Sequence, residues 1–393
     1  MTAIQETFSA AASLSCSRCE TVYPITGIYT FAQCCNKPLQ VNYENPGDPD
    51  RGDLIFREKS MWRYFEMLPV MERKNIVTLG EGMTPLLPLQ RAAARHGFAD
   101  VLLKDESLNP TGSFKARGLS AAISKAKEFG IKKCIVPTAG NAGGALAAYC
   151  ARAGMDCTVV MPRHTPVLFK QECELYGARL ILVDGLINDC AKKVAALNEH
   201  GAYYDVSTLK EPYRLEGKKT MGYEIAEQLD WKLPDVIVYP AGGGTGLIGI
   251  WKAFRELMAM GWVEVGPLPR MIAVQSSNCA PVVRAFRQGN SWKDGFVPQP
   301  SLANGLAVPY PFGMDMMLKV LSESHGLAWE VSEDDITAGV KELSRLEGML
   351  VAPEGGAVWK ALLQLRRTGE INDADRIVLL NTGSGYKYLE NIS

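Results

Sequence analysis

The sequence predicts an α/β fold built on mostly parallel sheets. Short runs of Val, Ile and Leu occur along the 393 residues without alternating with polar residues. Such runs indicate strands that are buried on both faces, because alternation would leave one face in water. Several runs are followed by a loop rich in Gly, Asn or Pro and then by a helix-like segment. This order predicts helices packed on a sheet, with ligand-binding loops at the carboxyl ends of the strands.

Six strands and three helices follow from this pattern. The strands are expected at Lys133–Pro137, Cys157–Met161, Leu180–Val183, Val236–Tyr239, Met271–Val274 and Ile377–Leu380. The helices are expected at Ala142–Ala153, Val167–Tyr176 and Leu247–Met260. Because the chain is longer than one average domain, we expect two lobes and an additional segment.

Residues 1–50 are expected to form that additional segment, a small N-terminal module. They contain four of the ten cysteines, they lack a long apolar run, and they end in the turn-rich stretch Asn45–Asp50. Cys16 and Cys19 have the spacing of half a zinc knuckle, and Cys35 is the third candidate ligand. Cys34 is adjacent to Cys35, so these two do not form a second C-x-x-C pair. Zinc binding and a ribbon without metal therefore both remain open.

The composition excludes several classes of partner. With 42 basic and 43 acidic residues, the chain lacks the basic excess of a nucleic-acid or anionic-membrane surface. The sequence contains no run of about 18 apolar residues, so no membrane span is predicted. The first residues lack a secretory pattern, and Cys134, Cys150 and Cys157 lie in apolar runs typical of a reduced core. We therefore expect a cytoplasmic protein without disulfides.

Lys115 lies in the first turn of a predicted helix, after the loop Asn109-Pro-Thr-Gly-Ser-Phe. The helix dipole is already positive at this end, so a protonated amine is disfavoured there. A neutral lysine amine can form a Schiff base with a carbonyl group. Taken alone, a surface lysine at the start of a helix explains the same pattern.

A second loop, residues 137–144, follows a predicted strand and opens a helix. Its glycines allow close backbone approach to a ligand, and its amide groups suit an anion such as a carboxylate. Asn141 adds a side-chain donor, although asparagine is also a favoured helix cap.

A third loop, residues 240–246, is a glycine-rich turn at a helix start, a geometry that binds phosphate. Gly244, Gly246 and Gly249 also match the dinucleotide pattern G-x-G-x-x-G. That pattern expects an acidic residue at the end of the next strand, where this chain has Gln275. The sequence therefore favours a phosphate without a ribose over a nicotinamide cofactor.

A fourth loop follows the last predicted strand and offers the hydroxyls of Thr382 and Ser384. In this order the four loops resemble those of the fold-type II pyridoxal-phosphate enzymes, over about residues 79–388. The resemblance implies that Lys115 carries pyridoxal 5′-phosphate as a Schiff base and that Asn141 contacts its ring hydroxyl. It selects Thr382 as the partner of the pyridine nitrogen. The implied phosphate ligands are Gly242, Gly243, Gly244, Thr245 and Gly246.

The same resemblance implies a tryptophan synthase β-like architecture of two lobes, each with a central, mostly parallel sheet flanked by helices. A large cofactor-binding domain is expected at residues 51–125 and 221–393. A small mobile domain carrying the Asn141 loop is expected at residues 126–220. The family also implies an enzyme that acts on a small amino acid and assembles as a homodimer.

Within this family the chain is most similar to threonine synthases, through Gly80–Pro85, the lysine loop and Glu211–Thr220. This similarity implies a lyase that converts O-phosphohomoserine and water to threonine and phosphate, with Arg214 on the substrate phosphate. A cationic cluster on that segment suits such a substrate, although a solvated helix face gives the same pattern. Its members are Lys210, Arg214, Lys218 and Lys219. The other implied substrate-binding residues are Ser113, Thr138, Ala139 and Gly140.

Four departures from the threonine synthase pattern keep other substrates open. Ala116 replaces an aspartate, Ala142 replaces a threonine, and Thr208-Leu209 replaces an asparagine–serine pair. The phosphate loop reads Gly-Gly-Gly-Thr-Gly, as in many dehydratases and β-replacement enzymes. The alternatives are therefore elimination or replacement on serine, threonine or phosphoserine, including a cysteate synthase-like reaction. A non-catalytic binding protein on the same fold is the alternative from another class.

Overall fold

The computed structural model describes residues 8–44 and 50–392. Most of the turn-rich stretch predicted at Asn45–Asp50 lies outside the described residues, and so do the first residues, on which the expectation of no secretory signal rests. The described chain forms three β-sheets with helices packed against them. The α/β fold is therefore confirmed.

The strands are numbered in chain order. They are β1 (Ala11–Cys16), β2 (Val22–Pro24), β3 (Leu39–Tyr43), β4 (Leu86–Pro88), β5 (Asp100–Asp105), β6 (Lys133–Pro137), β7 (Asp156–Pro162), β8 (Arg179–Val183), β9 (Tyr204–Asp205), β10 (Val236–Pro240), β11 (Arg270–Ser276), β12 (Leu327–Val331) and β13 (Arg376–Asn381).

The α-helices are α1 (Gln90–His96), α2 (Lys115–Glu128), α3 (Ala142–Ala153), α4 (Val167–Leu175), α5 (Ile187–Leu197), α6 (Tyr213–Gln228), α7 (Thr245–Ala259), α8 (Pro281–Gln288), α9 (Met314–Glu323), α10 (Glu333–Glu347), α11 (Pro353–Arg367) and α12 (Leu389–Ile392). Short 3-10 helices lie at Arg51–Phe56, Met61–Met67, Arg73–Asn75, Glu106–Leu108, Pro110–Gly112, Gly289–Lys293 and Gly385–Tyr388.

The strands are divided among a small N-terminal sheet and two larger ones. The N-terminal sheet is antiparallel, in the order β2-β1-β3. The large sheet has the order β12-β11-β10-β13-β5-β4, and its pairs are parallel except for β4 with β5. The third sheet is parallel, in the order β8-β7-β6-β9. The domain boundaries at residues 50, 125 and 220 remain a prediction.

The central strands of the large sheet are buried on both faces. Val236 and Val238 of β10 join one hydrophobic cluster, whereas the alternate residue Ile237 joins another. Ile377 and Val378 of β13 are divided between the two clusters in the same way. A strand with a core on each side needs apolar residues at every position, which explains the continuous runs in the sequence.

The predicted elements are confirmed, with small shifts at their ends. All six strand predictions coincide with β6, β7, β8, β10, β11 and β13, and β6 has the predicted limits. The three helix predictions coincide with α3, α4 and α7. The cysteines expected in the core, Cys134, Cys150 and Cys157, are buried and free. Within the described part of the chain, the helices are too short or too polar to span a membrane.

Candidate active site

One cavity brings together residues from all four loops. The predicted site residues that line it are Lys115, Thr138, Ala139, Gly140, Asn141, Arg214, Gly242, Gly243, Gly244, Thr245 and Thr382. Two predicted residues lie behind this lining. Ser113 is buried and pairs through its backbone with Gly383. Gly246 packs on Tyr239, whose hydroxyl would lie 1.9 Å from a Cβ added to that glycine.

Lys115 is the first residue of α2. Its Nζ lies 4.6 Å from the centroid of the Phe114 ring. Burial, and after it the Arg214 guanidinium, lower the pKa of the Lys115 amine to about 7, while Glu354 opposes the change. Since the ordinary value is 10.5, a large share of this amine is neutral near pH 7 and can act as a nucleophile or base.

Asn141 lies at the N-terminus of α3, at the carboxyl end of the parallel sheet. Its Nδ2 donates a hydrogen bond to the Tyr388 hydroxyl over 3.3 Å, and its buried Oδ1 has no partner. Thr138 Oγ1 accepts a hydrogen bond from the Gly140 N–H over 3.1 Å. The side chain of Asn141 therefore does not cap its helix and keeps an acceptor for a ligand.

The glycine-rich loop closes tightly around the N-terminus of α7. Gly244 has φ +83°, a left-handed conformation that favours glycine. A Cβ on Gly242 would lie 2.0 Å from the Gly305 carbonyl oxygen, so only glycine fits against that backbone. The loop therefore presents amide groups at a helix N-terminus, which is the physical arrangement that binds phosphate.

Thr382 and Ser384 occupy different environments after β13. Thr382 is buried in the cavity wall, and its carbonyl accepts a hydrogen bond from the Phe114 N–H over 3.1 Å. Ser384 Oγ instead accepts from the Tyr386 N–H and caps the following 3-10 helix. The hydroxyl in the cavity wall therefore belongs to Thr382.

Arg214 is 1% exposed and lines the cavity from α6. Its Nη1 donates to the Val206 carbonyl over 2.6 Å, whereas Nε and Nη2 have no partner. Burial lowers the pKa of this guanidinium, and Glu211 opposes that change. Two unpaired donors on a buried cation are suited to an anionic ligand group.

The four basic residues of the predicted cationic cluster do not form one positively charged surface. Lys219 pairs with Glu216 over 2.8 Å and with Glu256 over 2.9 Å, which uses its charge inside the protein. Lys210 is partly exposed, with Asp205 3.9 Å away. A solvated helix face is also wrong, because α6 is buried along most of its length. Arg214 is the member of the cluster that lines the cavity.

Two departures from the threonine synthase pattern have a structural counterpart. Ala142 lines the cavity and brings no hydroxyl to it. Leu209 has φ +61° and is buried in a hydrophobic cluster. Thr208 lines the cavity, and its Cγ2 would lie 2.6 Å from a Cβ on Gly243. The cavity wall therefore lacks the hydroxyl that the threonine synthase pattern implies after Asn141.

Sequence reasoning missed a carboxylate in this site. Glu354, in the first turn of α11, lines the cavity, and its Oε1 accepts hydrogen bonds from Gly305 N–H (2.8 Å) and the Tyr388 hydroxyl (3.5 Å). Its Oε2 has no partner, and burial raises the pKa of this carboxyl. An acidic residue after Pro353 is ordinary at a helix start, so no sequence signal marks it as part of a site.

The arrangement fits a bound polar cofactor. Buried polar atoms without partners are costly, so several around one cavity indicate a ligand that would satisfy them. Such atoms are Asn141 Oδ1, Arg214 Nε, Arg214 Nη2 and Glu354 Oε2, and Ser113 Oγ and Thr111 Oγ1 lie in the adjoining lysine loop. Together with the glycine-rich loop and the neutral amine of Lys115, they suit a phosphorylated aldehyde.

The nicotinamide alternative fits less well. Gln275 is buried and donates to the Ala241 carbonyl over 2.9 Å, while its Oε1 accepts from the Val282 N–H. Gly249 packs against the backbone of α6, where a Cβ would lie 3.0 Å from Lys219 N. The glycine spacing therefore follows helix packing, and the ribose-binding carboxylate is replaced by an amide that already has partners.

A separate group of cysteines lies in the N-terminal module. The sulfur atoms of Cys16, Cys19, Cys34 and Cys35 all lie within 4.8 Å of one another. Cys19 Sγ is 3.3 Å from Cys34 Sγ and 3.4 Å from Cys35 Sγ. These separations exceed the disulfide length of about 2.05 Å, so the four are thiols brought together by folding. The sequence prediction named Cys16, Cys19 and Cys35 and left a fourth ligand open, and Cys34 belongs to the group.

A family model described as "Pyridoxal-phosphate dependent enzyme" matches residues 77–383. The chain belongs to this family. The threonine synthase of Methanocaldococcus jannaschii is 32% identical over 376 residues, which cover 95% of this chain and 92% of that protein. The threonine synthase of Methanosarcina acetivorans is 33% identical over 372 residues, which cover 94% of this chain and 91% of that protein. The resemblance drawn from the four loops is thereby confirmed.

Two solved structures have the same fold as this chain. A maize serine racemase superposes with a TM-score of 0.66 at 21% identity, covering 78% of this chain and 92% of that one. An O-ureido-L-serine synthase superposes with a TM-score of 0.65 at 23% identity, covering 78% and 91%. The predicted fold-type II architecture is confirmed by these likenesses, which concern the fold alone.

Proposed function

We propose that this family member is a carbon–oxygen lyase that converts O-phosphohomoserine and water to threonine and phosphate. The curated threonine synthases that align over nearly the whole chain support this substrate. The observation that carries the proposal is Arg214, a buried guanidinium in the cavity wall with two N–H groups unpaired. A phosphate ester presents several acceptor oxygens to such a donor.

The cofactor would be held by residues that already surround the cavity. Lys115 Nζ would attach it covalently, the Gly242–Gly246 loop would bind its phosphate, and Asn141 would meet the ring hydroxyl. Thr382 would meet the ring nitrogen. Bound pyridoxal phosphate supplies an acceptor for the electrons released when the substrate loses its Cα proton.

The chain itself would perform the binding and the proton transfers. The neutral amine of Lys115 would take the Cα proton of the substrate. The amides of Thr138, Ala139 and Gly140 would hold the substrate carboxylate, and Arg214 would hold the phosphate until it leaves. A hydroxyl such as that of Thr382 holds a ring-nitrogen proton less firmly than a carboxylate does, which favours elimination and replacement over transamination.

A second candidate function is elimination or replacement on serine, threonine or phosphoserine. It is favoured by the apolar Ala142 in the cavity wall and by Leu209, which lies in the core. Without hydroxyl or amide donors at these positions a phosphate group receives fewer contacts, which within this candidate favours serine and threonine over phosphoserine.

One assay separates these functions. The holoenzyme is given O-phosphohomoserine, threonine, serine or phosphoserine, and released phosphate and keto acid are measured with the amino-acid product. Threonine and phosphate in equal amounts from O-phosphohomoserine are expected. Keto acid from serine or threonine, with no turnover of O-phosphohomoserine, would favour the second candidate and exclude the first.

Two variants test the assigned roles in the same assay. Lys115→Ala should abolish turnover. Arg214→Met should raise KM for O-phosphohomoserine by about 10² or more, because it removes a charge-assisted phosphate contact. Lys210→Met, on the same segment but outside the cavity wall, is the matched control and should leave both constants unchanged.

We also propose that the four N-terminal cysteines bind one zinc ion. Four thiolates around zinc, at a metal–sulfur distance of about 2.3 Å, have sulfur atoms about 3.8 Å apart. The pairs that Cys19 forms with Cys34 and Cys35 are close to that separation. Two segments position these cysteines. Cys16 lies at the end of β1, and Cys34 and Cys35 lie in the loop before β3.

Metal analysis of protein purified without chelator tests the zinc site. About one zinc per chain is expected, and Cys34→Ser should lower the content and the stability of the module. Cys190→Ala changes a buried cysteine far from the group in sequence and should keep the metal. A folded protein that contains no zinc, and takes up none from a stoichiometric solution, would exclude the site.

A further inference from the structure

Lys218 is a fully buried lysine without a carboxylate partner. Its exposure is 0%, the same as that of Lys104 and Lys219. Lys104 pairs with Glu224 over 2.7 Å, and Lys219 pairs with Glu216 over 2.8 Å. Among residues 8–44 and 50–392, by contrast, no ion pair within 4.0 Å includes Lys218. Burying an unpaired charge is unfavourable, so this amine needs either neutrality or an anion.

The position of Lys218 places it beside the glycine-rich loop. Its Nζ donates to Thr245 Oγ1 over 2.5 Å, and Thr245 both begins α7 and lines the cavity. The same Nζ lies 4.6 Å from the centroid of the Phe114 ring, as does Lys115 Nζ. The amine therefore lies between the lysine loop and the loop that presents amide groups to a phosphate.

The stem of Lys218 is fixed by close helix packing. A Cβ on Gly118 would lie 3.1 Å from Lys218 Cε and 2.8 Å from the Arg214 carbonyl oxygen. Glycine in α2 thus leaves room for the lysine stem where α2 crosses α6. The side chain is therefore packed into the interior, against α2.

The charges around Lys218 favour an anionic ligand. Burial lowers the pKa of its amine well below the usual value, and the neighbouring basic groups of Lys115 and Arg214 also lower it. Glu211 is the acidic group that opposes them. A phosphate dianion at the amide groups of the glycine-rich loop would raise the pKa of the Lys218 amine, and the amine would then be protonated.

We propose that Lys218 is the counter-cation of the phosphate group bound by the Gly242–Gly246 loop, and that this phosphate belongs to the cofactor. The proposal rests on the cofactor part of the proposed function and not on the substrate. It makes Lys218 a residue that offsets the charge of the phosphate and also orients Thr245. The hydrogen bond to Thr245 favours the cofactor phosphate over the substrate phosphate, since Arg214 is the cation already in the substrate part of the wall.

The first experiment measures phosphate binding to the cofactor-free protein. Inorganic phosphate is titrated into wild type, Lys218→Gln, Lys218→Arg and Lys210→Met, and the dissociation constant is obtained from calorimetry or thermal shift. Glutamine keeps a donor for Thr245 and removes the charge. Lys218→Gln should weaken phosphate binding by about tenfold or more, whereas Lys218→Arg and Lys210→Met should remain within about threefold of wild type.

The second experiment compares pyridoxal phosphate with pyridoxal, which lacks the phosphate. Covalent attachment to Lys115 is followed by visible absorbance in the same four proteins. Lys218→Gln should weaken retention of pyridoxal phosphate by about tenfold and leave pyridoxal attachment unchanged. Thr245→Val, which removes the hydroxyl but no charge, supplies a second test and should give a smaller loss that is also confined to the phosphorylated cofactor.

Three results would overturn the proposal. Equal losses with pyridoxal and pyridoxal phosphate would make Lys218 a structural support of α7. Unchanged phosphate and cofactor affinity in Lys218→Gln would remove any role in binding. An unchanged cofactor affinity combined with a raised KM for a phosphorylated substrate would assign the amine to the substrate. If the chain turns out to act on serine, these measurements keep their meaning, because none depends on turnover of O-phosphohomoserine.

Discussion

Lys387 Nζ lies 2.8 Å from Glu172 Oε2 and also donates to the Thr111 carbonyl over 2.7 Å. Glu172 belongs to α4, which packs beside the four-stranded sheet, and Lys387 follows β13 of the large sheet. Thr111 lies in the loop that leads to Lys115. A single amine thus connects a helix on one sheet to the Lys115 loop on the other.

Removing this amine should loosen both connections. Lys387→Met leaves Glu172 without its partner in a largely buried position, and we expect a loss of about 1–3 kcal/mol in the free energy of unfolding. Cofactor affinity should also fall, because the Thr111 carbonyl loses its anchor. Denaturant unfolding and a cofactor titration measure the two effects. Lys192→Met, which breaks an exposed ion pair, is the control and should change stability by less than about 0.5 kcal/mol.

Attachment of the cofactor to Lys115 should depend on pH with a midpoint near 7. The neutral amine is the reactive form, and burial lowers the pKa of Lys115 to about 7, so the attachment rate should rise as the pH passes through that value. The rate is measured by stopped-flow absorbance on cofactor-free protein, with Lys115→Ala as the blank.

The variant Arg214→Met tests the direction in which the guanidinium shifts the pKa of Lys115. The guanidinium lowers the pKa of Lys115, so its removal should move the midpoint to higher pH. A midpoint near the ordinary lysine value of 10.5 in wild type, or a downward shift in the variant, would contradict the electrostatic environment described for this amine.

The sequence was sufficient for elements in which most residues are buried. Lys133–Pro137 and Ala142–Ala153 were predicted with their observed limits, because hydrophobicity and helix signals agree there. Strand β5 was missed. It carries Lys104 and Asp105 among its apolar residues, and these charges pair inside the protein with Glu224 and Asn381. Partners more than 100 residues away cannot be inferred from local pattern.

The site was predictable in its loops and less so in its charges. Lys115, Asn141 and the glycine-rich loop carry local signals of helix starts and tight turns, and the structure brings them to one cavity. Glu354 carries no such signal. The burial of Lys218 without a carboxylate could not be predicted either. In the sequence it cannot be distinguished from its neighbour Lys219, which pairs with two carboxylates.

Gly242→Ala should damage phosphate binding more than the fold. The added Cβ would lie 2.0 Å from the Gly305 carbonyl oxygen, a backbone atom that cannot rotate away. The loop must therefore shift, and cofactor affinity should drop by about tenfold or more because the amide groups lose their convergence. A cofactor titration measures this. Gly266→Ala, at a glycine with open space around its Cβ, should bind normally.

Arg117 is the centre of a buried charge network behind the site. Its Nε lies 2.6 Å from Glu106 Oε2, its Nη1 lies 2.5 Å from Glu224 Oε1, and Lys104 adds a 2.7 Å contact to Glu224. All four side chains are fully buried. Arg117→Met removes one positive charge and leaves two carboxylates poorly compensated, so we expect a loss of about 3–5 kcal/mol in the free energy of unfolding.

Acid titration of stability gives this prediction a second readout. Arg117 and Lys104 lower the pKa of Glu224 from 4.5 to about 2 against the effect of burial. A carboxyl with a lowered folded-state pKa stabilises the protein above its unfolded value, and that stability is lost as pH falls toward the folded value. Wild type should therefore lose stability between pH 4.5 and 2. In Arg117→Met the pKa of Glu224 rises, so this acid-dependent part of the stability should shrink.

Arg376→Met, which breaks a partly exposed pair with Asp100, should keep the wild-type acid profile and lose less than about 1 kcal/mol. Equal losses in the two variants would mean that burial of the network contributes nothing beyond a surface ion pair.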